Sequence, residues 1–125
     1  MNKDIEHRND IILLVDSFYD KVIEDSTIGH IFNDIAKVDW DHHLPVMYSF
    51  WGSILLDDAT YIGNPMVKHI ALSKQYMLTE EHFRVWLRLF QESVDEHFSG
   101  LKAEEAKARA ATIAQIMRQK VSAVV

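Results

Sequence analysis

The sequence predicts an all-α fold. Apolar residues recur at three- and four-residue spacing over several long stretches. Those stretches are bounded by helix-cap and helix-stop residues. No segment alternates apolar and polar residues in the manner of a half-buried strand.

Residues 4 to 24 form the first predicted helix. Ile11, Leu14, Val15, Phe18 and Val22 make one apolar stripe along it, and Asp4 is the expected N-cap. Glu24-Asp25-Ser26-Thr27 interrupts the stripe, and one helical turn is expected at 28–32. A second long helix is predicted over 38–56, with Trp40, Leu44, Met47, Tyr48, Trp51 and Leu55 in register. Pro45 lacks an N–H and crowds the preceding turn, so the helix either begins just before it or kinks there. Asn64-Pro65 reads as a cap followed by a first helical residue, opening a short helix over 65–72. Thr79 caps the next helix, with Glu80 and Glu81 in its first turn. Its stripe is Phe83, Trp86, Leu87, Phe90 and Val94, and Ser99-Gly100 is the expected stop. A last helix over 103–121 buries Ala106, Ala110, Ile113, Ala114 and Met117.

A chain of 125 residues suits one domain, expected here to span 1–125. Its formal charge of −6 argues against nucleic acid, whose phosphates require clustered Lys and Arg, and against a polybasic membrane surface. There is no cysteine, which excludes disulfides, iron–sulfur clusters and covalent attachment of haem through Cys-x-x-Cys-His. The polar opening residues and the lack of a run near ~20 apolar residues predict a cytoplasmic chain with no membrane span.

The 7 histidines and 13 aromatic residues (6 Phe, 4 Tyr, 3 Trp) admit two readings. Small helical cores use aromatics, and surface histidines are common. A flat apolar cofactor also needs an aromatic cage and an imidazole ligand. His69 lies among Met66, Val67, Ile70 and Leu72. It is either a half-buried histidine or a metal ligand whose second ring nitrogen donates to a carbonyl such as that of Pro65. Tyr19 follows the stripe residue Phe18 and is either a boundary phenol or a donor into a cavity. Trp86 has an indole N–H that needs an acceptor, either a carbonyl or a bound ligand. His43 shares a helix face with Met47, Phe50 and Trp51, or is one of a solvent-facing pair with His42.

The order of these residues is more specific than any one of them. Phe18-Tyr19 and Ile31-Phe32 are followed by Asp39-Trp40-x-x-His43-Leu44-Pro45-x-Met47-Tyr48-x-Phe50-Trp51. Tyr61-x-Gly63-x-Pro65-x-x-x-His69 and Phe83-x-x-Trp86-Leu87-x-Leu89-Phe90 come next. This pattern, from about Leu13 to Met117, resembles the truncated haemoglobins of group III, the P group. The absence of adjacent glycine pairs fits that group rather than groups I and II.

The resemblance implies a truncated globin fold, a two-over-two helical sandwich around haem b (iron protoporphyrin IX). It implies His69 as the proximal ligand to iron, with Tyr19 and Trp86 as distal donors. It implies His43 as the distal-helix histidine, acting as a gate, with Met47 one turn later. Phe32 packs on the haem face, and Phe50 belongs to the same lining. Lys68, Tyr61 and Arg84 are candidates for the propionates. The register of His42 against His43 is the loosest transfer.

A tight binder of oxygen or another small haem ligand is therefore expected, as a monomer. The alternative is a haem enzyme, a nitric oxide dioxygenase or a peroxidase. No flavin or nicotinamide motif is present, so turnover would draw electrons from an external reductase. Two further readings are a cofactor-free helical interaction module and a non-haem metal site built on His42, His43, His69 and a carboxylate. The spacing of those histidines matches no standard ligand motif.

Overall fold

In the computed structural model, residues 2–32, 39–56 and 79–124 are described. Four α-helices make up most of them: α1 (Arg8–Glu24), α2 (Trp40–Leu55), α3 (Glu80–His97) and α4 (Leu101–Val124). Helix α1 packs on both α2 and α3, α3 runs along α4, and α2 touches α4 more lightly. The short helix expected at 65–72 lies outside the described residues.

The predicted stripes become the core. Ile11, Leu14, Val15, Phe18 and Val22 of α1 meet Trp51 and Leu55 of α2 and Val85, Leu89, Phe90 and Val94 of α3. Ala103, Ala106 and Ala110 give α4 a thin face, so its backbone can approach the rest of the core. Phe90 is fully buried, with its ring stacked on Trp51 at 4.6 Å between centroids.

Helix boundaries depart from the sequence reading in one instructive way. Asp4 does not cap α1, which starts four residues later, after His7. The Asp4 carboxylate instead accepts from the amides of Lys102 at 2.9 Å and Ala103 at 2.8 Å. These are free N–H groups of the first turn of α4. Glu104 donates to the carbonyl of Gly100, which places Gly100 at the N-cap with no side chain to offer. Asp4 supplies the missing acceptor from the other end of the chain. Gly100 has φ +139°, and a Cβ there would lie 2.6 Å from the Asp4 carboxyl carbon, so no larger residue fits.

The segment before α1 is held along its length. Lys3 pairs with Phe98 in an isolated bridge, and its carbonyl accepts from Ser99 at 2.9 Å. The Asp10 carboxylate accepts from the amides of Glu6 and His7 and from Lys3 Nζ. At the other end of α1, Asp25 Oδ1 accepts from Thr27 and Ile28, and a helical turn follows at 29–32. A Cβ on Gly29 would meet the Ile23 carbonyl at 2.7 Å, so the chain passes close over the end of α1 only because that position is glycine.

Helix α2 runs unbroken through Pro45, which stands in its second turn. Helix α3 is capped as expected: Thr79 Oγ1 accepts from the His82 amide, while the Thr79 amide donates to His82 Nδ1 at 3.0 Å. Here histidine fills the place usually taken by glutamate in a capping box. Helix α3 ends at His97, with Phe98 at its cap, just ahead of the expected Ser99-Gly100 stop.

Candidate functional site

Tyr19, His43, Trp40 and Phe32 converge where α1, the turn at 29–32 and the start of α2 meet. Tyr19 is 7% exposed. Its ring lies 5.1 Å from Trp40, 5.2 Å from His43 and 6.2 Å from Phe32, centroid to centroid. Trp40 stacks on Phe32 at 23° between planes and meets His43 edge-on. The Tyr19 hydroxyl is 3.0 Å from His43 Nε2. Burial pushes the Tyr19 phenol well above its ordinary pKa, so it keeps its proton.

The 3.6-residue period explains this grouping. Trp40, His43, Met47 and Trp51 recur at three- and four-residue intervals along α2 and so face α1 together. His42, one position earlier, points outward and is exposed, whereas His43 is half-buried. The structure thus favours His43 over His42 as the inward imidazole. Met47 and Phe50 are half-buried and pack against the core, and the Phe50 ring meets Trp51 at 5.4 Å.

Trp86 reaches the same region from α3. Phe18 links the two halves: its ring lies 4.8 Å from Tyr19 and 5.6 Å from Trp86. Trp86 lies nearly parallel to Phe90, at 6.1 Å and 10°. Trp86 is half-buried. Arg84 is exposed on the same helix. Tyr61, Lys68 and His69 lie outside the described residues.

The lining therefore combines several aromatic faces with one phenol–imidazole pair. Such walls exclude water and suit a planar apolar group, while the pair offers a neutral donor to a small ligand. This donor set fits the distal side of a haem. Trp40 was not singled out from the sequence as a site residue, although its position three before His43 places it on the same face. The pair formed by Tyr48 and Asp16 was also missed, since it joins two helices that no local pattern relates.

The family model described as bacterial-like globin matches residues 4–122. The chain belongs to the bacterial-like globin family. This globin is 34% identical over 92 residues to the group 3 truncated haemoglobin of Campylobacter jejuni, an alignment covering 71% of this chain and 70% of the relative. Its structure is similar to the crystal structure of group III truncated haemoglobin from Campylobacter jejuni. That match has a TM-score of 0.83 at 30% identity and covers 97% of this chain and 95% of the other. The all-α globin fold expected from the sequence is the fold found. Membership makes the chain a haem-binding globin of the general class that takes oxygen-like small ligands. Among the described residues, no helix is long and apolar enough to cross a membrane.

Proposed function

We propose that this globin is a haem b protein that holds oxygen and comparable small ligands tightly, with His69 as the proximal ligand and Tyr19 and Trp86 as distal donors. The observation that carries the reading is the buried Tyr19 hydroxyl, 3.0 Å from His43 Nε2 inside a wall of aromatic rings. When bound, haem supplies an iron with one coordination position held by imidazole and one open to a ligand.

The chain's own residues do the rest. Phe18, Phe32, Trp40 and Met47 exclude water from the ligand side. Tyr19 stays protonated because burial disfavours the phenolate, so it remains a donor. The phenol has one proton and two candidate acceptors, the ligand and His43. When the His43 tautomer places a hydrogen on Nε2, the imidazole donates to the phenol and turns the Tyr19 O–H toward the ligand. In the other tautomer Nε2 competes for that proton. His43 thereby sets how firmly the ligand is held, and its half-buried position suits a gate between pocket and solvent.

A second reading, action on nitric oxide or peroxide with an external reductase, is favoured by the same pair. A half-buried imidazole joined to a buried phenol is a two-step path for protons into an otherwise dry pocket.

The test is the absorption spectrum of the purified protein in ferric, ferrous and carbon monoxide forms, with His69→Ala alongside. A Soret band in the parent protein and its loss in the variant, recovered by added imidazole, is the expected result. An unchanged spectrum in His69→Ala would remove His69 from its assigned role. Sustained nitric oxide consumption with a supplied reductant would favour the enzyme, and a single stoichiometric reaction the binder.

A further inference from the structure

A stack of aromatic rings leads away from the ligand side of the core. Trp86 lies over Phe90 at 6.1 Å and 10°, and Phe90 lies over Trp51 at 4.6 Å and 20°. The two indoles are thus joined through one fully buried phenyl ring. Tyr48 stands three residues before Trp51 on α2, a spacing that makes them neighbours on the helix surface, roughly 5–6 Å apart at Cβ. The Tyr48 hydroxyl donates to Asp16 Oδ1 on α1. Tyr48 is half-buried, so it stands where the stack approaches solvent.

Tryptophan and tyrosine are the side chains most readily oxidised by one electron. Tyrosine gives up that electron easily only if its proton can leave at the same time. A phenol already bonded to a carboxylate meets that condition. The Tyr48 phenol is pushed up to about 12 by partial burial and by the Asp16 bond, so at neutral pH it carries the proton it must lose.

From this geometry we infer that Tyr48 is a redox site: an electron donor to the haem pocket through Trp51, Phe90 and Trp86, with Asp16 as the acceptor of its proton. The inference rests on the haem reading above. The oxidant is a hydroperoxide. Hydrogen peroxide takes up two electrons and two protons and leaves as two waters. Both electrons are drawn in turn from Tyr48, so the haem ends as it began, and the two protons enter from solvent. At each turn the phenolic proton passes to the Asp16 carboxylate, leaving a neutral tyrosyl radical beside a carboxylic acid. A small phenol or other hydrogen-atom donor at the surface returns one electron and one proton to Tyr48, and Asp16 releases its proton to solvent, so two such donors are oxidised per peroxide. Oxidising equivalents thus leave the core at a place solvent can reach, rather than damaging the pocket.

The experiment mixes the ferric haem-loaded protein with hydrogen peroxide, freezes it rapidly and records the organic radical by electron paramagnetic resonance. Spin trapping and peptide mass mapping then locate the adduct. The expected result is a tyrosyl signal with the adduct on Tyr48. The signal should be lost in Tyr48→Phe while the Soret band and helix content stay unchanged. Asp16→Asn retains a hydrogen-bond acceptor but not a proton acceptor, and should lose most of the signal. Trp51→Phe, which keeps a ring in the stack, should delay the signal without removing the band. A radical of equal yield in Tyr48→Phe, or an adduct mapped to Tyr19, overturns the proposal with the haem reading intact. A parent protein without a Soret band overturns both.

Discussion

Tyr19 and His43 come from different helices, 24 residues apart, and share one contact of 3.0 Å between hydroxyl and Nε2. One phenolic proton serves both the imidazole and whatever occupies the pocket. With Nε2 as the acceptor of that proton, removing each partner should move ligand release in opposite directions.

Replacing Tyr19 by phenylalanine deletes the donor. A hydrogen bond to a ligand bearing partial charge contributes ~1.5–3 kcal/mol, and ~1.4 kcal/mol corresponds to tenfold. Oxygen dissociation should accelerate by roughly tenfold to a hundredfold in Tyr19→Phe, by the same conversion. Trp86→Phe should act in the same direction. Stopped-flow displacement of oxygen by carbon monoxide measures both, and unchanged rates in both variants would remove these residues from the ligand's surroundings.

Where Nε2 accepts the phenolic proton, replacing His43 by leucine frees that proton for the ligand. Oxygen should then leave more slowly than from the parent protein, while its entry changes with the loss of the gate. An off-rate that rises in His43→Leu would overturn Nε2 as the acceptor and fit an imidazole that donates to the phenol or touches the ligand itself.

The cap of α3 should respond to pH. His82 Nδ1 accepts from the Thr79 amide, which it can do only when that nitrogen is unprotonated. Desolvation, with the nearby His30, lowers the His82 pKa below 6.5, against an opposing pull from Glu81. A depressed histidine pKa means the unfolded chain binds the proton more readily. The contribution is therefore complete above about 6.5, the unfolded value, and is lost as pH falls through the lower folded value. Thermal melts of His82→Gln, which keeps an acceptor without the titration, should show a shallower decline over that window. Parallel curves for parent and variant would count against this account.

Asp4→Ala removes the acceptor for the first turn of α4. Loss of an N-cap side chain typically costs ~0.5–2 kcal/mol, readable in denaturant unfolding. Burial tends to raise the Asp4 pKa, but bonds from the amides of Lys102, Ile5 and Ala103 leave it lowered below 3.8. Its stabilisation is thus present above that value and disappears as pH drops through the folded one. Asp4→Asn should recover part of the loss and flatten the acid limb.

Phe90 is fully buried between Trp51 and Trp86. Phe90→Ala should destabilise the fold by ~3–5 kcal/mol, the range for deleting a buried aromatic ring. Calorimetry or urea unfolding would measure it, and a loss below ~1 kcal/mol would mean the indoles close over the gap, because the cost scales with the cavity left behind.

The helices were legible because each stripe repeats with the helical period, and the same period set His43 rather than His42 on the inner face. Asp4 was misread because an N-cap preference is a local rule. It identifies a residue able to accept from free amides, but not which helix supplies them. Trp40 went unassigned since an aromatic at a helix start fits an ordinary core equally well. Asp16 and Tyr48 pair across α1 and α2, and that pairing depends on how two helices cross, which no single stripe encodes. His69 and Tyr61 rest on their motif, as they lie outside the described residues.

The opening turn of α4 draws its acceptor from residue 4, 99 positions earlier than Ala103. Hydrogen bonds inside a helix are local, so most of α4 can form without reference to that residue. The amides of Lys102 and Ala103 gain their partner only once the two remote segments meet. Deuterium uptake at those two amides consequently reports closure of the whole chain rather than winding of the helix that contains them.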